Sequence, residues 1–245
     1  LLRRYPWGLF RLAYAQARAG RDTFTKACFL GEAQNPALQP ALYLVDHNAP
    51  LALVGRTTIR GTAHLPRAGV KRGYIQGQGY TGTELIYGTT QTSGKRMPQS
   101  PQAAIAALLP YFGQSGAAAV PAEGLSQSFL DTAVYLGGEH LLLADLQLSG
   151  QIIIVAQSSI YVDASAELDN VLLFAPEIEL APGFRGRLQA FATERLVVGE
   201  AAQLRYPSVV ALIPREATPQ RTALVLHAES RLQGLAMIYQ QVPQK

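Results

Sequence analysis

Between Ile152 and Leu212, apolar residues return every six positions, and this narrows the possible architecture more than any other feature of the chain. One series runs Ile154, Ile160, Ala166, Leu172, Ile178, Phe184, Ala190, Leu196, Ala202. A second follows two residues later: Ala156, Val162, Leu168, Phe174, Leu180, Gly186, Ala192, Val198, Leu204. Residues i and i+2 of a strand face the same way. Each unit therefore reads as a short strand with two inward side chains, followed by a corner. Three units make a rung of about 18 residues, which stacks Ile160, Ile178 and Leu196 in one column. The predicted fold is mainly β: a single-stranded β-helix, or β-solenoid, taken as right-handed.

The aligned segments are Leu141–Leu143, Ile160–Val162, Ile178–Leu180 and Leu196–Val198. After Ile213 the register slips. Residues 214–221 read as a loop of extra residues, and Leu224–Leu226 resumes the column 28 positions beyond Leu196. Leu232, Ala236 and Ile238 carry the coil onward. No polar capping helix is legible before Lys245, so this end is expected to continue in further chain or to stack on another copy.

Two domains are expected. Residues 1–40 read as an N-terminal helical cap or membrane-proximal segment. Leu9, Leu12, Ala13 and Ala17 form its apolar face, with Arg3, Arg4, Arg11, Arg18 and Arg21 around it. Pro36 and Pro40 end it. Residues 41–245 read as the β-helix domain, interrupted by a helical insertion at 99–135. There Ser100 and Pro101 make an N-cap and N1 pair, and Ile105, Leu108, Leu109 and Phe112 share one face. Residues 41–98 are read as the first, irregular rungs. Glycines 69, 73, 77, 79, 82 and 88 mark tight corners and a protruding loop.

Charge and composition exclude several classes. The 48% hydrophobic and 16% charged content argues against disorder. The net charge of +4 is scattered, with no basic stripe, so nucleic acid is not an expected partner. The single cysteine, Cys28, permits no intramolecular disulfide and reads as a small buried hydrophobe. No window of 18 apolar residues occurs. The opening Leu1-Leu2-Arg3-Arg4, without methionine, suggests an excerpt of a longer protein with an apolar anchor before Leu1.

Few residues invite chemistry. Gly77, Gly79 and Gly82 match the spacing of a dinucleotide loop, but Thr83–Tyr87 is β-rich and opens no helix. Asp145 and Asp163, 18 apart, are expected in one column, where they could flank a sugar or a calcium ion; they read as solvated turn formers. Arg185 and Arg187, near Asp169 and Gln203–Arg205, suggest a basic rim. His47, His64, His140 and His227 show no metal-ligand spacing. His140 falls one rung before Ser159, and His227 falls in the column of Asp145 and Asp163. No catalytic, cofactor-binding or metal residue is assigned, and no cofactor is expected.

The six-residue period also resembles hexapeptide-repeat acyltransferases, which want a small residue four positions after the aliphatic one. Val162 with Ala166 and Val198 with Ala202 conform, but Leu172, Ile178 and Phe184 occupy that site with large residues. Residues 139–213 more closely resemble the bactofilin-type polymer-forming β-helix. The chain is also similar to bacterial envelope-associated β-solenoid proteins with an N-terminal anchor, through the segment Leu65–Ile75 and the later rungs. These resemblances imply a non-catalytic structural or interaction scaffold of the bacterial cell envelope. Self-association or protein partners would follow, with membrane attachment through a segment before Leu1; otherwise the location is cytoplasmic. The alternative is a carbohydrate-binding or polysaccharide-cleaving β-helix, with Tyr74, Tyr80, Tyr87 or Tyr161 as stacking platforms beside Asp145 and Asp163.

Overall fold

The computed structural model describes residues 1–30, 40–96, 102–114, 118–214 and 222–239. The protein is mainly β, 59% strand and 4% helix, with a β-solenoid of about eight turns. It divides into two compact units: Leu1–Gly31 with Ala103–Lys245, and Glu32–Gln102.

The N-terminal segment is not a helix. It forms an antiparallel sheet of β1 (Leu2–Trp7), β2 (Phe10–Ala19) and β3 (Asp22–Leu30). Trp7 pairs with Phe10 and Ala19 with Asp22, so each turn is a two-residue loop opening on a left-handed glycine, Gly8 or Gly20. Such Gly-X loops match the twist of a hairpin. They outweigh the helix propensity of the alanines and arginines that suggests a helix. The arginines do not ring one helix but divide between faces. Arg3 and Arg18 share the face of Tyr14, and Arg4 and Arg11 lie on the other. Cys28 on β3 is exposed rather than buried, because it lies on the sheet's outer face. No helix among the described residues is long and apolar enough to cross a membrane.

The second unit holds the irregular rungs. Its strands are β4 (Leu42–Tyr43), β5 (Leu51–Leu53), β6 (Ala63–Leu65), β7 (Val70–Arg72), β8 (Tyr74–Ile75), β9 (Gln78–Gly79) and β10 (Thr90–Thr92). Leu42, Ala63 and Thr90 stack in parallel register, as do Leu51 and Val70. The glycine-rich stretch contains a tight hairpin. Tyr74 and Ile75 pair with Gly79 and Gln78 across left-handed Gln76 and Gly77. No helix follows Gly82.

The remainder of the first unit opens with α1 (Gln102–Leu108) and a 3-10 turn, Leu109–Tyr111, where Pro110 prevents continuation. The expected capping pair, Ser100 and Pro101, lies outside the described residues. The coil then runs through β11 (Leu125–Gln127), β12 (Val134–Leu143), β13 (Gln147–Gly150), β14 (Ile152–Val162), β15 (Glu167–Leu180), β16 (Arg185–Val198), β17 (Gln203–Leu212), β18 (Ala223–Leu226) and β19 (Arg231–Ile238). All of these pair in parallel as one nine-stranded sheet. β11 already pairs with β13, so coiling begins inside the stretch read as an insertion.

No single rung length describes the coil. The pairing offset is 18 from Ile160 to Ile178, 19 from Ile153 to Leu172, 17 from Leu173 to Ala190 and 20 from Gln189 to Val209. From Leu196 to Leu224 it is 28. The most consequential shift lies at Asn170. Its left-handed backbone inserts one residue between Asp169 and Val171. A one-residue slip moves every following side chain to the other face. Val171, Leu173 and Ala175 therefore point into the coil, and Leu172 and Phe174 point outward.

Those outward residues are nonetheless buried. Ile153, Val155, Leu172, Phe174, Phe191, Val209 and Ala211 form a second apolar layer on one flank of the coil. Trp7 from the N-terminal sheet and Ile105, Leu108 and Phe112 from the helical segment cover it. Phe174 stacks on Phe191 at 5.0 Å and on Tyr111 at 4.9 Å, and meets Phe112 edge-on at 5.3 Å. The flank is dry on both sides, which explains the continuous apolar runs 152–156, 171–175 and 209–213. The sheet is further fixed by Gln189, whose Oε1 accepts the Leu9 N–H at 2.8 Å and whose Nε2 donates to the Trp7 carbonyl at 2.9 Å.

Candidate functional site

Asp145 and Asp163 do not form one column. The shift between Gly138 and His140 sets Leu143 beside Val162, so Asp163 lies beside Ala144 instead. The two acids serve a corner. The Asp163 carboxylate accepts the Ser165 N–H at 2.9 Å and the Ser165 hydroxyl at 2.8 Å, and Ser165 Oγ accepts the Asp145 N–H at 2.9 Å. The bond from the Ser165 N–H, then that from its hydroxyl, hold the Asp163 carboxyl below the ordinary aspartate range. Stability from this bonding is present above the unfolded-state pKa and is lost as pH falls through the lower folded value. In Ser165→Ala, the Asp163 midpoint in an NMR titration is expected to rise toward the ordinary value. An unmoved midpoint would refute this assignment.

Of the basic rim, Arg187 is paired with an acid. Arg187 lies in register with Asp169 and clasps it with two bonds, Nε–Oδ1 at 2.7 Å and Nη2–Oδ2 at 2.8 Å. Asp169 raises the Arg187 pKa, first through these bonds. On the coil's remaining outer face, His140 Nδ1 and Ser159 Oγ lie 2.9 Å apart. His140, Ser159, Glu177 and Arg195 follow one another in register there. A serine–histidine contact is the start of a nucleophile pair. Here both residues lie on an open sheet face, with Glu177 beside the serine rather than behind the histidine. His64 stacks on Tyr43 at 5.1 Å, and His227 lies exposed at a corner above Gly199. No cluster of three or more potential metal-ligating side chains occurs among the described residues.

Of the proposed stacking tyrosines, Tyr80 is buried, with its hydroxyl bonded to the Glu84 carbonyl. Tyr74 is 73% exposed on the β8–β9 hairpin, and Tyr161 is 38% exposed two residues from Asp163.

The last described turn is the most unusual surface. Leu224 and Leu226 sit in register on Leu196 and Val198, and Leu232, Ala236 and Ile238 sit on Leu204, Val210 and Leu212. The lower five are at most 1% exposed. Above them Leu226 is 46% and Ile238 61% exposed, although both occupy inward positions. No described strand pairs with the far edge of β18 or β19. Among the described residues, nothing covers the apolar column or the backbone hydrogen-bonding ladder on this side. Sequence reasoning finds this surface, since Leu224, Leu232, Ala236 and Ile238 continue the apolar series.

Comparison with protein-family models, with curated proteins and with solved structures finds no match.

Proposed function

We propose that this chain is a non-catalytic β-solenoid scaffold of the bacterial cell envelope that self-associates through the turn formed by β18 and β19. The observation that carries this reading is the open apolar column at Leu226 and Ile238, above a fully buried turn. The surface that best completes such a column is another set of stacked strands with apolar inner positions. A second copy supplies that set, and two copies meeting by the same face close a symmetric pair. The resemblance to polymer-forming β-helices supports a scaffold role. The resemblance through Leu65–Ile75 supports the envelope location.

Light scattering tests it. The protein is expected to exceed its chain mass of 26.4 kDa at least twofold at micromolar concentration. The pair Leu226→Lys and Ile238→Lys places charges on the edge and is expected to return it to a monomer without lowering its melting temperature. A monomeric parent protein, or association that survives both lysines, would overturn the reading.

A further inference from the structure

We propose that the distal half of the N-terminal sheet is a binding face for an acidic oligosaccharide, a run of sugar units bearing carboxylates. On β1, Arg3 and Tyr5 face the same way as Tyr14 and Leu12 of β2, their pairing partners. This face and the corner at Phe129–Ala133 enclose an open groove of about 540 Å³, also lined by Gln151. A second hollow of about 370 Å³, lined by Gln16, Arg18 and Thr23, continues along the same face. The proximal end of the sheet is sealed onto the coil by Trp7 and Phe29, so the groove begins where that packing stops.

The lining chemistry matches a sugar acid. Tyr5 is 44% exposed and offers a flat ring to the C–H face of a pyranose. No ion pair among the described residues involves Arg3 or Arg18. Each guanidinium therefore keeps its planar fork for a carboxylate. Gln16 Nε2 donates to the Tyr14 hydroxyl at 3.3 Å and to the Thr25 hydroxyl at 3.4 Å, which leaves both hydroxyl protons to donate outward. In the groove lining, Gln151 Oε1 is buried and has no donor within the described chain. A free phosphate or a lipid headgroup would engage the arginines but leave the ring and the amides unused.

The sole tryptophan reports on the site, because Trp7 meets Phe129 edge-on at 5.4 Å and Phe129 lines the groove. Titrating the full chain with tetragalacturonate is expected to change Trp7 emission saturably. Cellotetraose and inorganic phosphate are expected to leave it nearly unchanged. Arg3→Gln and Tyr5→Ala, both surface changes with unaltered melting, are each expected to weaken binding about tenfold. Four outcomes would each overturn the proposal: no saturable change, equal binding of cellotetraose, full competition by phosphate, or unchanged affinity in both variants. This site does not rest on the scaffold reading. A monomeric chain that binds the sugar, or an assembling chain that does not, separates the two.

Discussion

Phe174→Ala is expected to lower the unfolding free energy by about 3–5 kcal/mol. Phe174 is fully buried, yet it lies outside the coil's interior. It joins Phe191 beside it to Tyr111 and Phe112 of the covering helical segment. Truncation removes the ring from these three aromatic neighbours at once. The cavity cannot close, because the strand carrying Phe174 is held by parallel ladders on both sides. The transition followed by Trp7 emission should move to lower urea at unchanged slope. Phe174→Leu, which refills most of the volume, should recover more than half of the loss. A change below about 1 kcal/mol for the alanine variant would show that the helical segment contributes little to this flank.

Gln189→Leu is expected to cost about 2–5 kcal/mol and to free the N-terminal sheet from the coil. The substitution nearly conserves volume, so the loss comes from polar groups rather than from packing. Gln189 is 4% exposed, and its amide satisfies two backbone groups of the β1–β2 turn. Without it, the Leu9 N–H and the Trp7 carbonyl lose the side-chain amide that bonds them to the coil. Gln189→Glu keeps the acceptor but loses the donor, and should fall between the two. Gly8→Ala acts on the same contact from the other side. Its Cβ would overlap the Gln189 amide, and its left-handed backbone disfavours any side chain. The readouts are a red shift of Trp7 emission and new protease cleavage near Gly20. Parent-like behaviour of Gln189→Leu would mean that the apolar contacts of Trp7, Phe10 and Phe29 suffice.

The coil was legible because its signal is local and repetitive. Alternation at i and i+2 marks inward pairs, and six-residue spacing marks corners. The spacing of 28 from Leu196 to Leu224 could be counted across an interruption whose residues lie largely outside the described set. The two-residue hairpin loops at Gly8 and Gly20 were equally present in the sequence. Alanine and arginine between them are strong helix formers, and the helical pattern masked the turns. Of the candidate surfaces, the open last turn was readable from its continuing apolar positions. The sugar-binding face was not, because Arg3, Tyr14, Gln16 and Gln151 meet only after the N-terminal strands fold back beside a corner more than a hundred residues away.

By itself, then, the sequence determined that this chain coils, where the inner columns run from Ile178 onward, and where the column reappears at Leu224. Tertiary structure alone decided the rest. A bulge at Asn170 costs one residue of register until a second shift between Ala175 and Glu177 restores it, so Leu172 and Phe174 change sides and Ile178 does not. What covers the flank they reach depends on contacts with residues far along the chain. Apolar periodicity specifies that a face must be buried; only the packed molecule specifies against what.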